Sequence, residues 1–100
     1  MRIIKEIEIE GKKAIALFDS GSFHTYIINQ LLRGVHKRKL PNPYKVALGG
    51  ETMEVKYTYI IVGKIEGYGF DSTATPINKL GKVDGSLIDA IIGAETMEAW

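Results

Sequence analysis

The amino-acid sequence predicts an all-β, barrel-like domain with one short C-terminal helix, and three observations carry that prediction. Apolar and polar residues alternate with period two, most plainly in Ile7-Glu8-Ile9-Glu10. That is the period of a strand with one buried face. Turn formers recur between such runs, at Gly11-Lys12, Asp19-Ser20-Gly21-Ser22, Gly49-Gly50 and Glu66-Gly67. Strong helix formers gather at the end of the chain, from Ala94 to Trp100.

Taken in order, the first hairpin joins Ile7–Glu10 to Ala14-Ile15-Ala16-Leu17-Phe18. The second of these runs is apolar throughout, as expected of a strand buried on both faces. It ends at Asp19-Ser20-Gly21-Ser22, a cluster of loop formers. Tyr26-Ile27-Ile28 forms the next strand, and Asn29 to Arg33 a helical turn closed by Gly34. Val35 to Lys39 is polar and basic, and Pro41-Asn42-Pro43 is expected to exclude regular structure. Tyr44 to Leu48 and Thr52 to Val62 flank Gly49-Gly50. Two glycines between β-type runs signal a hairpin, because both central residues of a type I′ turn need positive φ. A further pair runs from Tyr57 to Ile65 and from Tyr68 to Thr75, with Pro76 as its stop. Ile77 to Leu87, which holds Gly81, Asp84 and Gly85, reads as a long loop, and Ile88 to Ile92 as a last apolar strand. The sum is about seven short strands.

The 100 residues are one domain by length. A chain of this size buries only ~60–65% of its unfolded surface, so self-association would help it. Its net charge of +1 gives no reason to expect a nucleic-acid or membrane partner. The basic run from Arg33 to Lys39 is short and reads as a solvated face. The absence of cysteine excludes disulfides, thiol catalysis and thiolate metal sites. His24 and His36 lack metal-ligand spacing, so neither metal nor cofactor is expected. Charge appears at Arg2, Lys5 and Glu6, too early for a signal peptide, and no apolar run approaches the ~20 residues of a membrane span. The expected compartment is the cytoplasm.

Three features in order carry chemistry. The first is Leu17-Phe18-Asp19-Ser20-Gly21-Ser22, an acidic loop at the end of a buried strand. The second is the glycine hairpin Leu48-Gly49-Gly50-Glu51-Thr52. The third is Ile91-Ile92-Gly93-Ala94-Glu95, an apolar strand running through glycine into a helix. Each is weak alone: Asp-Ser-Gly is most often a plain turn. Phe70-Asp71-Ser72-Thr73 echoes the first, but Thr73 stands where a tight turn wants glycine and the flanking residues do not continue the likeness. Ser20 or Ser22 as a nucleophile lacks both an elbow motif and a histidine base.

Together, from about Ile7 to Met97, the three features resemble the retropepsins, the single-lobed aspartic proteases of retroviruses and their relatives. The resemblance implies a closed acid-protease barrel lobe spanning residues 1–100 and an aspartic endopeptidase activity. It implies that Asp19 is the catalytic carboxylate and that Ser20, Gly21 and Ser22 form its loop, with the Ser20 hydroxyl bonding across a dimer. Gly49 and Gly50 would be the tip of a flap. Ile91 and Ile92 would lie near substrate side chains, and Gly93 would pack under the active-site loop. An extended peptide would bind between flap and floor as an added strand.

The chemistry requires a second carboxylate. Two close carboxylates cannot both ionise, so they share one proton, and one can act as base while the other acts as acid. The chain has only Asp19, Asp71, Asp84 and Asp89, and a single Asp-Ser-Gly. The simplest partner for Asp19 is therefore Asp19 of a second copy across a two-fold axis. The chain also departs from the viral pattern. Phe23-His24 stands where acidic residues are common, and Ala94-Glu95 where Arg-Asn or Arg-Asp is common, so both halves of that ion pair are missing. Only seven residues follow Gly93, fewer than the viral interface strand needs, so either the dimer is held differently, as by the N-terminal strand, or the sequence is a piece of a longer chain. The alternative from a non-enzyme class is a peptide-binding or dimerisation module on the same fold.

Overall fold

The computed structural model describes residues 2–48 and 50–98. Strand β1 (Arg2–Ile9) and strand β2 (Lys12–Asp19) pair antiparallel along their whole length, from Arg2↔Asp19 to Ile9↔Lys12. The alternation read from the sequence is realised: Ile7 and Ile9 are buried while Glu6 and Glu8 are exposed. On β2, Ala14, Ala16, Leu17 and Phe18 are all buried, because β2 lies between β1 and β9. The remaining strands are β3 (Tyr26–Ile28), β4 (Lys37–Leu48), β5 (Glu51–Ile65), β6 (Tyr68–Ile77), β7 (Lys82–Val83), β8 (Ser86–Leu87) and β9 (Ala90–Ile92); the helix α1 is Ala94–Met97.

Among the described residues, seven strands form one sheet in the order β1-β2-β9-β3-β6-β5-β4. The long strand β5 pairs with β4 and β6, and also meets β1 at Glu8↔Lys64 and Ile9↔Gly63, which closes the sheet on itself. Gly63 sits at that closure. A Cβ there would stand 2.4 Å from the Phe70 ring and 2.9 Å from the Glu8 carbonyl, so the junction admits only hydrogen. Strand β9 runs parallel to β2 and antiparallel to β3, and β3 runs parallel to β6.

The wall made by β3 and β9 divides two apolar clusters, and period two does the dividing. Ile27, Ala90 and Ile92 face the larger cluster with Ile7, Ile9 and Phe18. Tyr26, Ile28 and Ile91 face a smaller one, where Val46, Leu48, Met53 and Val55 arrive from the β4–β5 hairpin. That hairpin therefore lies against the wall rather than standing free.

The structure corrects three expectations. Pro41-Asn42-Pro43 does not interrupt β4; the ladder slips between Lys39 and Tyr44 and then resumes. An outermost strand tolerates this, since its outer edge needs no N–H donor and a bulge absorbs the irregularity. Pro76 does not stop β6. Pairing with β5 has ended at Ala74, while the Thr75 amide bonds Thr25 towards β3, so the missing Pro76 donor faces the unpaired side. The stretch from Ile77 to Leu87 is not all loop. Lys82–Val83 and Ser86–Leu87 pair across Asp84-Gly85, both with positive φ, a two-residue turn of the Asp-Gly type. Asp71 and Ser72 lie within β6, opposite Val62 and Ile61, so the echo of the Asp19 motif does not form a second loop. The helix formers Ala99 and Trp100 lie outside the described residues.

Candidate active site

Asp19 is the last residue of β2, half-buried, at the point where the strand leaves the sheet. Its carboxylate oxygen Oδ1 accepts from the Gly21 amide at 2.9 Å, and its carbonyl accepts from the Ser22 amide at 3.1 Å. The turn thus holds the side chain in one orientation while Ser20 and Gly21 remain exposed beside it. Ser22 is occupied structurally. Its hydroxyl donates to the His24 carbonyl at 2.9 Å, and its carbonyl accepts from the Ala94 amide at 2.8 Å.

The other aspartates are committed elsewhere. Asp89 accepts from the Ile15 amide at 2.8 Å, which ties the approach to β9 onto β2, and Asp84 lies in the β7–β8 turn. Asp71 is held within β6, as described above.

What fixes the Asp19 loop is the segment Gly93–Thr96. The amides of Ala94 and Glu95, at the start of α1, donate to the carbonyls of Ser22 and Phe23. Donors left over at a helix start are thereby satisfied by the loop itself. Gly93 is the contact point: a Cβ there would stand 2.2 Å from the His24 carbonyl oxygen and 2.6 Å from that of Phe23. The expectation that Gly93 packs beneath this loop matches the geometry. Of the two isoleucines before it, Ile91 faces the smaller cluster under the hairpin, whereas Ile92 is 0% exposed in the larger core. Adjacent strand residues point to opposite faces, so only Ile91 can border a cleft on the hairpin side.

Beneath the loop runs a chain of hydroxyls that sequence reasoning did not find. The Gly93 amide donates to Thr25 Oγ1 at 3.0 Å; Thr25 Oγ1 bonds Thr96 Oγ1; and Thr96 Oγ1 meets Ser72 Oγ at 2.7 Å. Thr25 and Thr96 are 0% and 1% exposed, so these groups have no recourse to water. Replacing Thr96 by Val keeps the shape and leaves the buried Thr25 hydroxyl without its side-chain partner, while Ser72 keeps its bond to the Thr73 carbonyl. The expected loss is about 1–3 kcal/mol of stability, read from denaturant unfolding.

A second omission is the contact between Glu95 and the segment His24-Thr25. Glu95 Oε1 accepts from the Thr25 amide at 3.0 Å, and Glu95 Oε2 stands 3.7 Å from His24 Nδ1. The Asp19 loop and the start of α1 are therefore joined through His24, Thr25 and Glu95. Tyr26 is buried beside them. Burial raises its phenol above the usual tyrosine value, with smaller contributions from Tyr44 and Glu95. A folded-state value above the unfolded one stabilises the fold below about pH 10 and is lost as pH rises through the folded value. Thermal midpoints taken between about pH 8 and 11 should fall more steeply for wild type than for Tyr26→Phe.

The flap candidate is the β4–β5 hairpin. Leu48 pairs with Glu51, and Gly50 has φ +81°, in the left-handed region that glycine adopts freely. Gly49 lies outside the described residues. Two open concavities of about 410 and 290 Å³ lie elsewhere, at Ile65–Phe70 and around Glu10-Gly11. Neither is lined by the Asp19 loop.

No family model and no curated protein matches the sequence. Solved structures do match the fold. The solution structure of simian foamy virus (mac) protease aligns over 96% of this chain and 92% of that one, with a TM-score of 0.63 and 16% identity. At that identity the likeness establishes architecture, and the chain has the all-β lobe of a retropepsin-like protease with one short C-terminal helix.

Proposed function

We propose that the protein is an aspartic endopeptidase that works as a homodimer, with one Asp19 from each chain. The observation that carries this reading is the Asp19-Ser20-Gly21 turn, held on the end of β2 by Gly93 and α1, within the lobe of a retroviral protease. In the proposed mechanism the two carboxylates share one proton. The ionised one takes a proton from water as the water oxygen attacks the peptide carbonyl carbon, and the protonated one donates to the carbonyl oxygen. Collapse of the resulting diol breaks the C–N bond, and a carboxyl proton passes to the leaving amine. Ser20 and Gly21 line the reacting centre, the Leu48–Glu51 hairpin closes over the peptide, and Ile91 borders its side chains. No cofactor takes part.

Geometry restricts how such a dimer can form. Among the described residues β1 meets β5 only at Glu8 and Ile9, which leaves residues 2–7 with an outer edge that no strand covers. Two chains paired through that edge would hold their Asp19 residues three strand spacings apart, roughly 14 Å at ~4.8 Å each. Sharing a proton needs ~2.5–3.0 Å between oxygens. Edge-to-edge pairing of β1 with its copy is therefore unsuited to build the dyad. The contact instead falls on the Ser20-Gly21 turns. Phe23, 61% exposed, offers an apolar side chain next to them for the second chain or the peptide to cover.

The test is cleavage of an unfolded protein substrate between about pH 4 and 7, where such dyads operate. Cutting that a statine-type inhibitor blocks is the expected result. Absence of cutting by a folded, dimeric wild type would leave a peptide-binding module on the same fold.

A further inference from the structure

The geometry points to His24 as a positioning residue that couples the arm of the flap hairpin to the loop carrying Asp19. His24 lies three residues beyond Gly21, where loop, wall, hairpin and helix converge. Its ring stacks on Tyr44 of β4 with centroids 5.4 Å apart and planes 21° apart. The rings of Phe23 and Tyr26 meet it edge-on at 5.2 and 6.2 Å. Glu95 of α1 faces its Nδ1, and the other oxygen of the same carboxylate holds the Thr25 amide. The groups that face the imidazole are thus Glu95 from the helix, Tyr26 from β3 and Tyr44 from β4.

Tyr44 occupies a particular place in the hairpin. The β4–β5 ladder slips between Lys39 and Tyr44 and resumes at Tyr44↔Val55. Tyr44 is therefore the root of the regular arm that leads to Leu48 and the turn. Ladder hydrogen bonds cannot fix the arm's angle across the slip, because they are interrupted there. Side-chain contacts at the root must do so. At Tyr44 these are the His24 stack and the hydroxyl, 3.3 Å from Thr75 Oγ1, which add to the apolar packing of Val46 and Val55 on the wall. A flap has to open for an extended peptide and return to the same height above the reacting carboxylates. Through Tyr44, His24 sets that height relative to the residues immediately beyond Asp19. This role rests on the protease reading for its consequence, but the coupling itself does not depend on catalysis.

Two measurements test it. With a peptide substrate, His24→Ala should raise KM about tenfold while kcat stays within about threefold, because the arm binds substrate and does not perform chemistry. Tyr44→Leu should do the same. The double variant should be no more than about twofold worse than either single one, since both remove one shared contact. His24→Phe, which keeps the stack, should recover most of the loss. Effects that multiply to about a hundredfold, or a fall in kcat at constant KM, would overturn the assignment. The second measurement is hydrogen exchange in Asp19→Asn chains. His24→Ala should speed exchange at Val46, Met53 and Val55, the amides that the register turns towards the partner strand, and leave β1 and β2 unchanged. If wild type cuts no peptide, the protease reading fails while exchange still decides the coupling; unaltered exchange in the arm would refute it.

Discussion

Replacing Asp19 by Asn should reduce peptide cleavage by at least about a thousandfold, within the range that general acid–base groups supply. In a homodimer one substitution removes both carboxylates, so neither the base nor the acid remains. Folding should survive. The bond that orients the side chain is donated by the Gly21 amide to Oδ1 at 2.9 Å, and the carboxamide oxygen of Asn can accept it equally well. The variant should therefore unfold within about 0.5 kcal/mol of wild type, bind peptide, and cut nothing. The combination separates catalysis from structure: loss of cutting with an intact unfolding curve assigns a chemical role, and loss of both assigns a structural one.

Gly93→Ala should have the largest effect on stability. The added methyl would stand 2.2 Å from one carbonyl oxygen and 2.6 Å from another. Both belong to the backbone of the loop, so no side chain can rotate away. The chain must either push residues 23 and 24 outwards or lift α1, and the second course breaks the bonds from Ala94 and Glu95 to Ser22 and Phe23. Overpacking of this kind costs about 3 kcal/mol or more, and denaturant unfolding reads it directly. Whatever the variant retains in fold, the Asp19 loop is the part displaced, so cleavage should fall further than the unfolded fraction alone explains. A Gly93→Ala protein as stable as wild type would mean that loop and helix are not packed as described.

The strand pattern was legible because its causes are local. Tyr26-Ile27-Ile28 is a strand in the sequence reading and in the structure, and β2 ends at Asp19 as its loop formers require. The Glu66-Gly67 turn, with both residues at positive φ, follows the same logic. The prolines misled because their effect depends on which neighbours a strand has. Pro41 and Pro43 lie on an outermost strand and Pro76 where one neighbour has ended, and neither fact is visible in a single segment. Asp84-Gly85 was the reverse case, a local turn signal passed over because its strands are two residues each.

For the site, Asp19 and Gly93 could be singled out from short motifs, whereas what joins them could not. Thr25 and Thr96 are 71 residues apart and look like an ordinary strand residue and an ordinary helix residue. His24 and Glu95 escaped for the same reason. Each read as a departure from the viral pattern, and only the fold shows that the departures face one another. That Ile91 and Ile92 face different clusters was available in principle from period two, once the buried face of β9 was known.

The central claim is that one site needs Asp19 from two chains, and mixing tests it most directly. Wild type and Asp19→Asn are combined in equal amounts, unfolded and refolded together, and cleavage is compared with the same total of wild type alone. If chains pair at random and a single Asn disables the site, activity falls to about one quarter, the fraction of all-wild-type dimers. Activity of about one half, with each chain acting for itself, would contradict the shared site.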